Sequence, residues 1–210
     1  MKALVLKDIY MMLKYCRSFF MIIAVFTLIS IFTENNLFFA MYPCLFVSLI
    51  PNSLLAYDER SKWEIYASTM PVTRAQMVSA KYIVGLMMQG ITLIVSSIAL
   101  VVRSLRFGES VIQSAALIGA MIPLMLLTTA LGLPVMFRFG VEKGRIFYYV
   151  LVGLLAALAG GSSFFITGET GEILKNTAFA IMPALVLLPI VIYALSWYLS
   201  CVFYKKREFN

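Results

Sequence analysis

The stretch Asp58–Lys81, DERSKWEIYASTMPVTRAQMVSAK, is the longest charged interval in a chain that is otherwise strongly apolar. Two patterns within it have the form of a capping box: Ser61-x-x-Glu64 and Thr73-x-x-Gln76. In a capping box, a hydroxyl and a returning Glu or Gln side chain bind free N–H groups in the first turn of a helix. The stretch therefore predicts two successive helices, with Ser61 and Thr73 as their caps.

Pro71 separates these two helices, because proline has no backbone N–H and disfavours helical geometry in the residue before it. The first helix is then short and ends near Thr69. Its apolar side chains recur at the spacing of one helical face: Trp63, Tyr66, Ala67 and Met70. The second helix continues from Arg74 into an apolar span. A short two-sided helix joined directly to a membrane helix suits an element that a partner pushes from outside the membrane.

Away from this stretch the composition is that of a membrane protein, with 62% hydrophobic residues. Uncharged intervals lie between flanking charges at 18–33, 35–57, 82–102, 110–137, 146–168 and 176–204. A membrane-spanning helix needs about 20 such residues, and all the intervals but the first exceed that length. The sequence therefore predicts an all-α polytopic membrane protein with six transmembrane helices.

The N-terminal segment, residues 1–17, predicts a helix that lies in the membrane interface. Its apolar residues share one helical face: Leu6, Ile9, Tyr10 and Leu13. Lys7 and Lys14 lie on another face, which is the pattern of an interfacial amphipathic helix. A secretory signal peptide is disfavoured, because Asp8 and Lys14 interrupt the apolar run and no small-residue cleavage site follows.

The basic residues predict the orientation of the chain. If the N-terminus is cytoplasmic, segments 1–17, 58–81, 138–145 and 205–210 lie inside and hold 14 of the 17 basic residues. Such a bias places both termini in the cytoplasm. The net charge of +7 then reflects topology and contact with anionic lipid, and the scattered basic residues do not predict nucleic-acid binding.

Several function classes are excluded by what the sequence lacks. It contains no histidine, and its three cysteines have no metal-ligand spacing, which argues against His-dependent hydrolases and zinc proteases. It has no GxxxxGK[ST] motif for ATP, no charge near the middle of a span for ion coupling, and no recognisable channel filter. An energised partner is therefore expected. The alternative for residues 61–70 is a helix lying in the lipid headgroups, which Trp63 and Tyr66 would favour.

The segment Tyr57–Ile83 resembles the connection between the second and third spans of ABC type-2 transporter permeases. The matching features are Asp58-Glu59-Arg60, the short helix, Pro71-Val72-Thr73-Arg74 and Lys81-Tyr82. The opening Leu6-Lys7-Asp8 of the amphipathic helix is also typical of that family. With six spans and both ends inside, the resemblance covers the whole chain, residues 1–210, as a single permease domain.

The resemblance implies how such a chain works. Each permease chain associates with an ATP-binding cassette subunit, and two of each form the exporter, as a homodimer or with a paralogue. Segment 58–73 is then the cytoplasmic coupling segment, and its helix seats in a groove of the ATPase. ATP and magnesium bind the partner, so this chain carries no cofactor, metal or catalytic residue of its own. The chain is expected in the plasma membrane, in contact with lipid.

Two sets of residues follow as candidates. The ATPase-coupling contacts are expected among Glu59, Arg60, Ser61, Lys62, Trp63, Glu64 and Tyr66. Residues expected to line the pathway or the dimer contact are Asn52, Gly153, Ala157 and Gly160.

The sequence indicates less about the cargo than about the fold. The chain looks closest to small bacterial members that export amphipathic or antimicrobial peptides, including the exporters of phenol-soluble modulins. A charge-free apolar pathway suits such a peptide, and it also suits a lipid or a hydrophobic drug. A membrane immunity or sensor protein that binds a peptide without transporting it is the alternative from another class.

Overall fold

The structure is a computed structural model that describes the backbone of residues 1–33, 37–108, 111–150, 153 and 169–206. Every regular element of this part of the chain is a helix. In chain order the helices are α1 Lys2–Tyr15, α2 Arg17–Phe32, α3 Leu37–Ser48, α4 Ile50–Arg60, α5 Trp63–Ser68, α6 Arg74–Phe107, α7 Val111–Phe139, α8 over residues 141–150, and α9 Glu169–Lys206. The predicted all-α class is therefore confirmed for the residues described.

The described residues include four stretches that are long and apolar enough to cross a membrane: Phe39–Arg60, Arg74–Phe107, Ser114–Phe139 and Leu187–Lys205. Helices α1 and α2 pass the same test together, although the chain bends by 70° between them, and they raise the number to five if they count as one span. Six spans therefore stay a prediction, because most of the predicted fifth span, 146–168, lies outside the described residues.

The bend between α1 and α2 falls at Cys16, which is fully buried. The buried residues of α1 repeat every four positions: Leu4, Asp8 and Met12. Another face of α1 exposes large apolar side chains: Leu6, Tyr10 and Leu13. One face of α1 thus packs on the protein while an apolar face remains open, as expected of a helix in contact with lipid. Its position at the membrane surface stays a prediction.

The span Phe39–Arg60 consists of α3 and α4, because the regular helix is interrupted at Leu49. Pro51 lies in the first turn of α4, where its missing N–H removes no hydrogen bond that the helix needs. The sequence signal for this interruption is therefore proline, while apolar length alone indicates one continuous span.

Polar side chains join the long helices inside the apolar bundle. The Gln89 Nε2 group of α6 donates to Thr129 Oγ1 of α7 at 2.6 Å. The Tyr82 hydroxyl of α6 lies 2.7 Å from Ser196 Oγ and 2.8 Å from Ser200 Oγ, both on α9. Such interhelical hydrogen bonds contribute on average about 0.6 kcal/mol each in membrane proteins. They fix the register of α6 against α7 and α9.

The close approach of α4 and α6 depends on Gly85. A Cβ added there would lie 2.9 Å from Pro51 Cγ, while a Cβ at Gly90, five residues further along α6, meets no atom within 4 Å. We expect Gly85→Ala to lower the unfolding temperature of the purified protein, because the proline ring cannot yield as a flexible side chain does. Gly90→Ala is the matched control and should leave stability unchanged or raise it, since alanine is the better helix former by about 1 kcal/mol. Equal melting curves for the two variants would contradict the close packing of α4 on α6.

Candidate functional site at the junction of α1, α4, α5 and α6

Four charged side chains from three helices meet inside the protein at the end of α4, and we call them the ion quartet: Lys7, Asp8, Asp58 and Lys81. Lys7 Nζ lies 2.8 Å from Asp58 Oδ1 and 3.0 Å from Asp8 Oδ1. Lys81 Nζ lies 2.7 Å from Asp8 Oδ1 and 2.5 Å from Asp58 Oδ2. Each carboxylate therefore contacts both ammonium groups, and the charges alternate around the quartet.

The quartet is buried and formally neutral. Asp8 is 1% exposed, Asp58 3% and Lys81 4%. Charges removed from water at this depth are tolerated only when they are paired, and removing one partner from such a group costs about 3–5 kcal/mol. Withdrawal of α4 or α6 would leave an uncompensated charge, and withdrawal of α1 would remove one ionic partner from both Asp58 and Lys81. The quartet therefore locks the ends of these three helices together.

Helix α5 lies directly against the quartet through Trp63. Lys7 Nζ sits 4.4 Å from the centroid of the Trp63 ring, within the range of a cation–π contact. Trp63 also lines a cavity of about 20 Å³ together with all four quartet residues. This volume is too small for a ligand, so Trp63 packs on the quartet almost without a gap. A displacement of α5 would therefore shift the position of Lys7.

The turn from α4 into α5 differs from the sequence prediction at Ser61. Helix α4 runs on to Arg60, and the Ser61 hydroxyl donates to the carbonyl of Asp58 at 3.1 Å. Helix α5 begins at Trp63, with Lys62 at its N-cap in the left-handed region (φ 53°) and no side-chain cap. The prediction that Ser61 caps the short helix is therefore wrong. Because α4 extends further than predicted, Ser61 faces a carbonyl at its end instead of a free N–H.

Thr73 caps the next helix as its sequence pattern indicates. Its side chain accepts a hydrogen bond from the Gln76 N–H at 3.3 Å, and Gln76 Oε1 accepts one from the Thr73 N–H at 3.1 Å. Helix α6 therefore begins firmly at Arg74 and runs for 34 residues, or about 51 Å. This length exceeds the ~30 Å apolar core of a bilayer, so the helix joins the junction to the far side of the bundle.

The predicted coupling residues divide into an outward and an inward group. Outward are Arg60, Ser61, Lys62 and Tyr66, which are exposed. Ile65 is 48% exposed beside Tyr66, and the sequence reasoning missed it because it stands off the apolar stripe. Trp63 points inward to the quartet, and the side chain of Glu64 lies outside the described set. The outer surface of α5 therefore combines basic, hydroxyl and apolar groups.

Glu59, also predicted as a coupling contact, binds within the chain. Its Oε2 atom accepts a hydrogen bond from the Val141 N–H at 2.8 Å. Val141 is the first residue of α8 and follows Gly140, which has a positive φ of 81°. A carboxylate at this position stabilises the N-terminus of a helix. Glu59 therefore joins the end of α4 to the start of α8.

The predicted pathway residues are only partly described. Asn52 is 3% exposed in α4 and packs against Gly132 of α7, where an added Cβ would lie 2.8 Å from Asn52 Nδ2. Gly153 has no atom within 4 Å of an added Cβ. Ala157 and Gly160 lie outside the described residues. The expectation that these four residues line one pathway or dimer contact therefore stays a prediction.

Within the described ranges, no group of three or more His, Cys, Asp or Glu side chains has the arrangement of a metal site. The quartet has only two carboxylates, and each already contacts two ammonium groups. Its arrangement therefore suits a mechanical connection and offers no free ligand to a cation.

Comparison with protein families identifies the class of this chain. The family described as ABC-2 family transporter protein matches residues 3–205, and the chain belongs to that family. Comparison with curated proteins and with solved structures finds no significant match. Family membership and the apolar helices define a multi-pass plasma-membrane protein, the membrane subunit of an ABC transporter. The family is a membrane domain distinct from the ATPase, and it implies an ATP-binding cassette partner in general.

The contribution of the quartet to stability can be measured directly by substitution of one of its members. We expect Asp58→Asn to destabilise the purified protein by about 3–5 kcal/mol, because it leaves the buried ammonium of Lys81 and the partly exposed one of Lys7 with one carboxylate. Glu142→Gln, a change of the same chemistry at an exposed carboxylate, is the control. Thermal unfolding in detergent measures both.

The double variant Lys7→Met/Asp58→Asn separates charge balance from other effects of the substitution. It removes one charge of each sign and should recover part of the stability lost in Asp58→Asn. Losses that simply add in the double variant would show that the four charges do not act as one group.

Proposed function

We propose that this chain is the permease of an ABC exporter for amphipathic or antimicrobial peptides, and that α5 is its coupling helix. The observation that carries the proposal is that α5 is exposed and also contacts the ion quartet. Ile65 and Tyr66 are exposed, while Trp63, whose ring lies 5.5 Å from the ring of Tyr66, packs on the quartet. The helix is thus open to a partner while it contacts the charged group that joins three membrane helices.

In the proposed mechanism, closure of the ATP-bound partner subunits pushes α5 toward the membrane. Trp63 transmits the push to Lys7 and so to the quartet. Because the quartet joins α1, α4 and α6, these helices tilt together and change the side to which the pathway opens. ATP and magnesium act on the partner, and this chain contributes the mechanical connection.

The proposed orientation places the quartet side in the cytoplasm, with both termini. The Arg74 guanidinium, at the start of α6, donates to the carbonyls of Tyr204 and Lys205, at 3.2 and 3.0 Å. The end of α9 therefore lies on the same side of the bundle as the start of α6. Lys7 in α1 lies there too, and the strong excess of basic residues in these segments favours the cytoplasmic side.

The proposed assembly contains two permease chains and two ATPase subunits, as the resemblance implies. No atom of the described residues lies within 4 Å of a Cβ added at Gly153, and this supports a close contact with a second copy. The apolar spans suit a peptide that carries its own apolar face. The export of peptides and the use of two identical chains are both parts of the proposal.

A second candidate function is the export of a lipid or hydrophobic drug. An apolar groove of about 360 Å³ lies between α6 and α9, lined by Ile83, Leu86, Tyr193 and Trp197 among others. Its lining is that of a site for an acyl chain or an apolar drug. In this reading the stimulating molecule in the ATPase assay would be the lipid or the drug.

The proposal is tested by comparing one inward and one outward substitution. We expect Tyr66→Ala to reduce co-purification of the ATPase with the permease, because an exposed aromatic side chain is a typical anchor of an interface. Trp63→Ala should leave co-purification intact and abolish most of the stimulation of ATP hydrolysis by peptide, because the contact to the quartet is lost.

The measurements are a pull-down from the native membrane and an ATPase assay with and without an amphipathic peptide. Tyr10→Ala, an exposed aromatic residue of α1, is the matched control and should behave as the wild type in both. Recovery of the wild-type chain without any ATPase would contradict the exporter and favour an immunity or sensor protein.

A further inference from the structure

A cavity of about 690 Å³ lies between α4, α7 and α8, and we call it the inner cavity. Its volume falls within the range of about 300–1,000 Å³ that ligand sites occupy. Polar and aromatic side chains line it along its depth, among them Asn52, Ser53, Tyr57, Tyr148 and Tyr149. It differs in this from the apolar groove between α6 and α9.

The inner end of the cavity carries an unsatisfied amide. Asn52 is 3% exposed, and neither Oδ1 nor Nδ2 has a hydrogen-bond partner among the described residues. A carboxamide offers both a donor and an acceptor in one plane, which matches the N–H and C=O of a peptide group. The side chain lies against Gly132 and near the ring of Tyr148. A shift of α8, which carries Tyr148, would bring the amide into contact with a bound chain.

The mouth of the cavity is positively charged. Arg60, Lys143 and Arg145 line it, against the carboxylates of Glu59 and Glu142. Glu59 also accepts the hydrogen bond from Val141, and the three basic groups exceed the two carboxylates by one charge. Arg60 stands eight residues after Asn52 on α4, a rise of about 12 Å. A ligand therefore meets cationic groups at the mouth and an amide about two helical turns deeper.

We propose that the inner cavity binds the acidic end of an amphipathic peptide, as the loading site for cargo. Carboxylates of the peptide pair with Arg60, Lys143 and Arg145, and a backbone amide deeper in the cavity pairs with Asn52. The lining combines polar groups with apolar side chains such as Phe19, Leu49 and Met136, which suits an amphipathic peptide better than the acyl chain of a lipid. The inference rests on the proposed function and adds to it the charge and polarity of the cargo.

The inner cavity, as the proposed cargo-loading site, lies next to the ion quartet along α4. Asp58 belongs to the ion quartet, and the next two residues, Glu59 and Arg60, line the cavity. Glu59 also holds the first residue of α8. A peptide that moves α8 to reach Asn52 therefore acts on the same end of α4 that the quartet holds.

The test is a binding titration on the permease–ATPase complex in nanodiscs. The probes are a fluorescently labelled amphipathic helical peptide of about 20 residues that ends in three glutamates, and the same peptide with three glutamines. For Lys143→Gln/Arg145→Gln we expect the Kd of the glutamate peptide to rise about tenfold, and that of the glutamine peptide to stay within about twofold. Lys14→Gln/Lys205→Gln removes two exposed basic residues outside the cavity and should change neither Kd.

Asn52→Leu supplies a second, independent variant. It removes the amide while nearly keeping the volume, and we expect it to weaken both peptides by a similar factor of about five, because each has backbone amides. Co-purification of the ATPase with every variant shows that the fold is retained.

Three results would overturn the loading site. One is unchanged binding of both peptides by the cavity variants, and another is an equal loss in the Lys14/Lys205 control. The third is displacement of the glutamate peptide by phosphatidylglycerol vesicles but not by phosphatidylcholine vesicles, which would assign the cationic mouth to a lipid headgroup. Failure of the wild-type chain to bind an ATPase would instead contradict the exporter, and a titration on the permease alone still reports on the cavity.

Discussion

The alternating contact of two lysines and two aspartates in the ion quartet is the interaction on which the rest of the structure depends. Asp8, Asp58 and Lys81 are buried, and together with Lys7 they keep all their ionic contacts only while α1, α4 and α6 keep their relative positions. A buried ion pair is weak support for stability in general, since apolar residues often serve as well. Its strong effect is on geometry, because each separation of the helices breaks ionic contacts between buried side chains. The stacked rings of Tyr15 and Tyr57, 4.8 Å apart, reinforce the contact of α1 with α4.

Successive residues at the end of α4 connect the quartet to other parts of the protein. Asp58 enters the quartet, Glu59 holds the first turn of α8, and Arg60 lines the mouth of the inner cavity before the chain turns into α5. Residues that follow one another along a helix are about 100° apart around its axis, so each faces a different neighbour. A push on α5 would therefore reach α1 and α6 through the quartet and α8 through Glu59. In the proposed mechanism this arrangement is the physical route from the ATPase to the cargo path.

The sequence predicts that the protein is helical, but it does not predict the contacts that form the ion quartet. Uncharged intervals indicate membrane helices, and the Thr73–Gln76 spacing predicts the start of α6, because both signals are local. Ser61 was misread because its hydroxyl serves α4, whose end the sequence pattern does not mark. Lys7, Asp8 and Lys81 lie within the family-like motifs, yet the ionic contacts that bring them together with Asp58 join residues up to 73 positions apart. No periodicity encodes such a contact. The sequence marks Asn52 only as a polar residue within a span. Its place in a cavity follows from the packing of α4 against α7 and α8.

The central claim is that the quartet makes α1 and α5 move as one body, and a distance measurement tests it most directly. Spin labels at Tyr10→Cys on α1 and Thr69→Cys at the end of α5 occupy exposed positions, while the described native cysteines, Cys16, Cys44 and Cys201, are buried. Pulsed electron paramagnetic resonance on the reconstituted complex would compare the label separation without nucleotide and with ATP trapped. The account predicts an unchanged separation in the otherwise native chain and a shifted or broadened one after Asp58→Asn. A separation that shifts equally in both chains would contradict it.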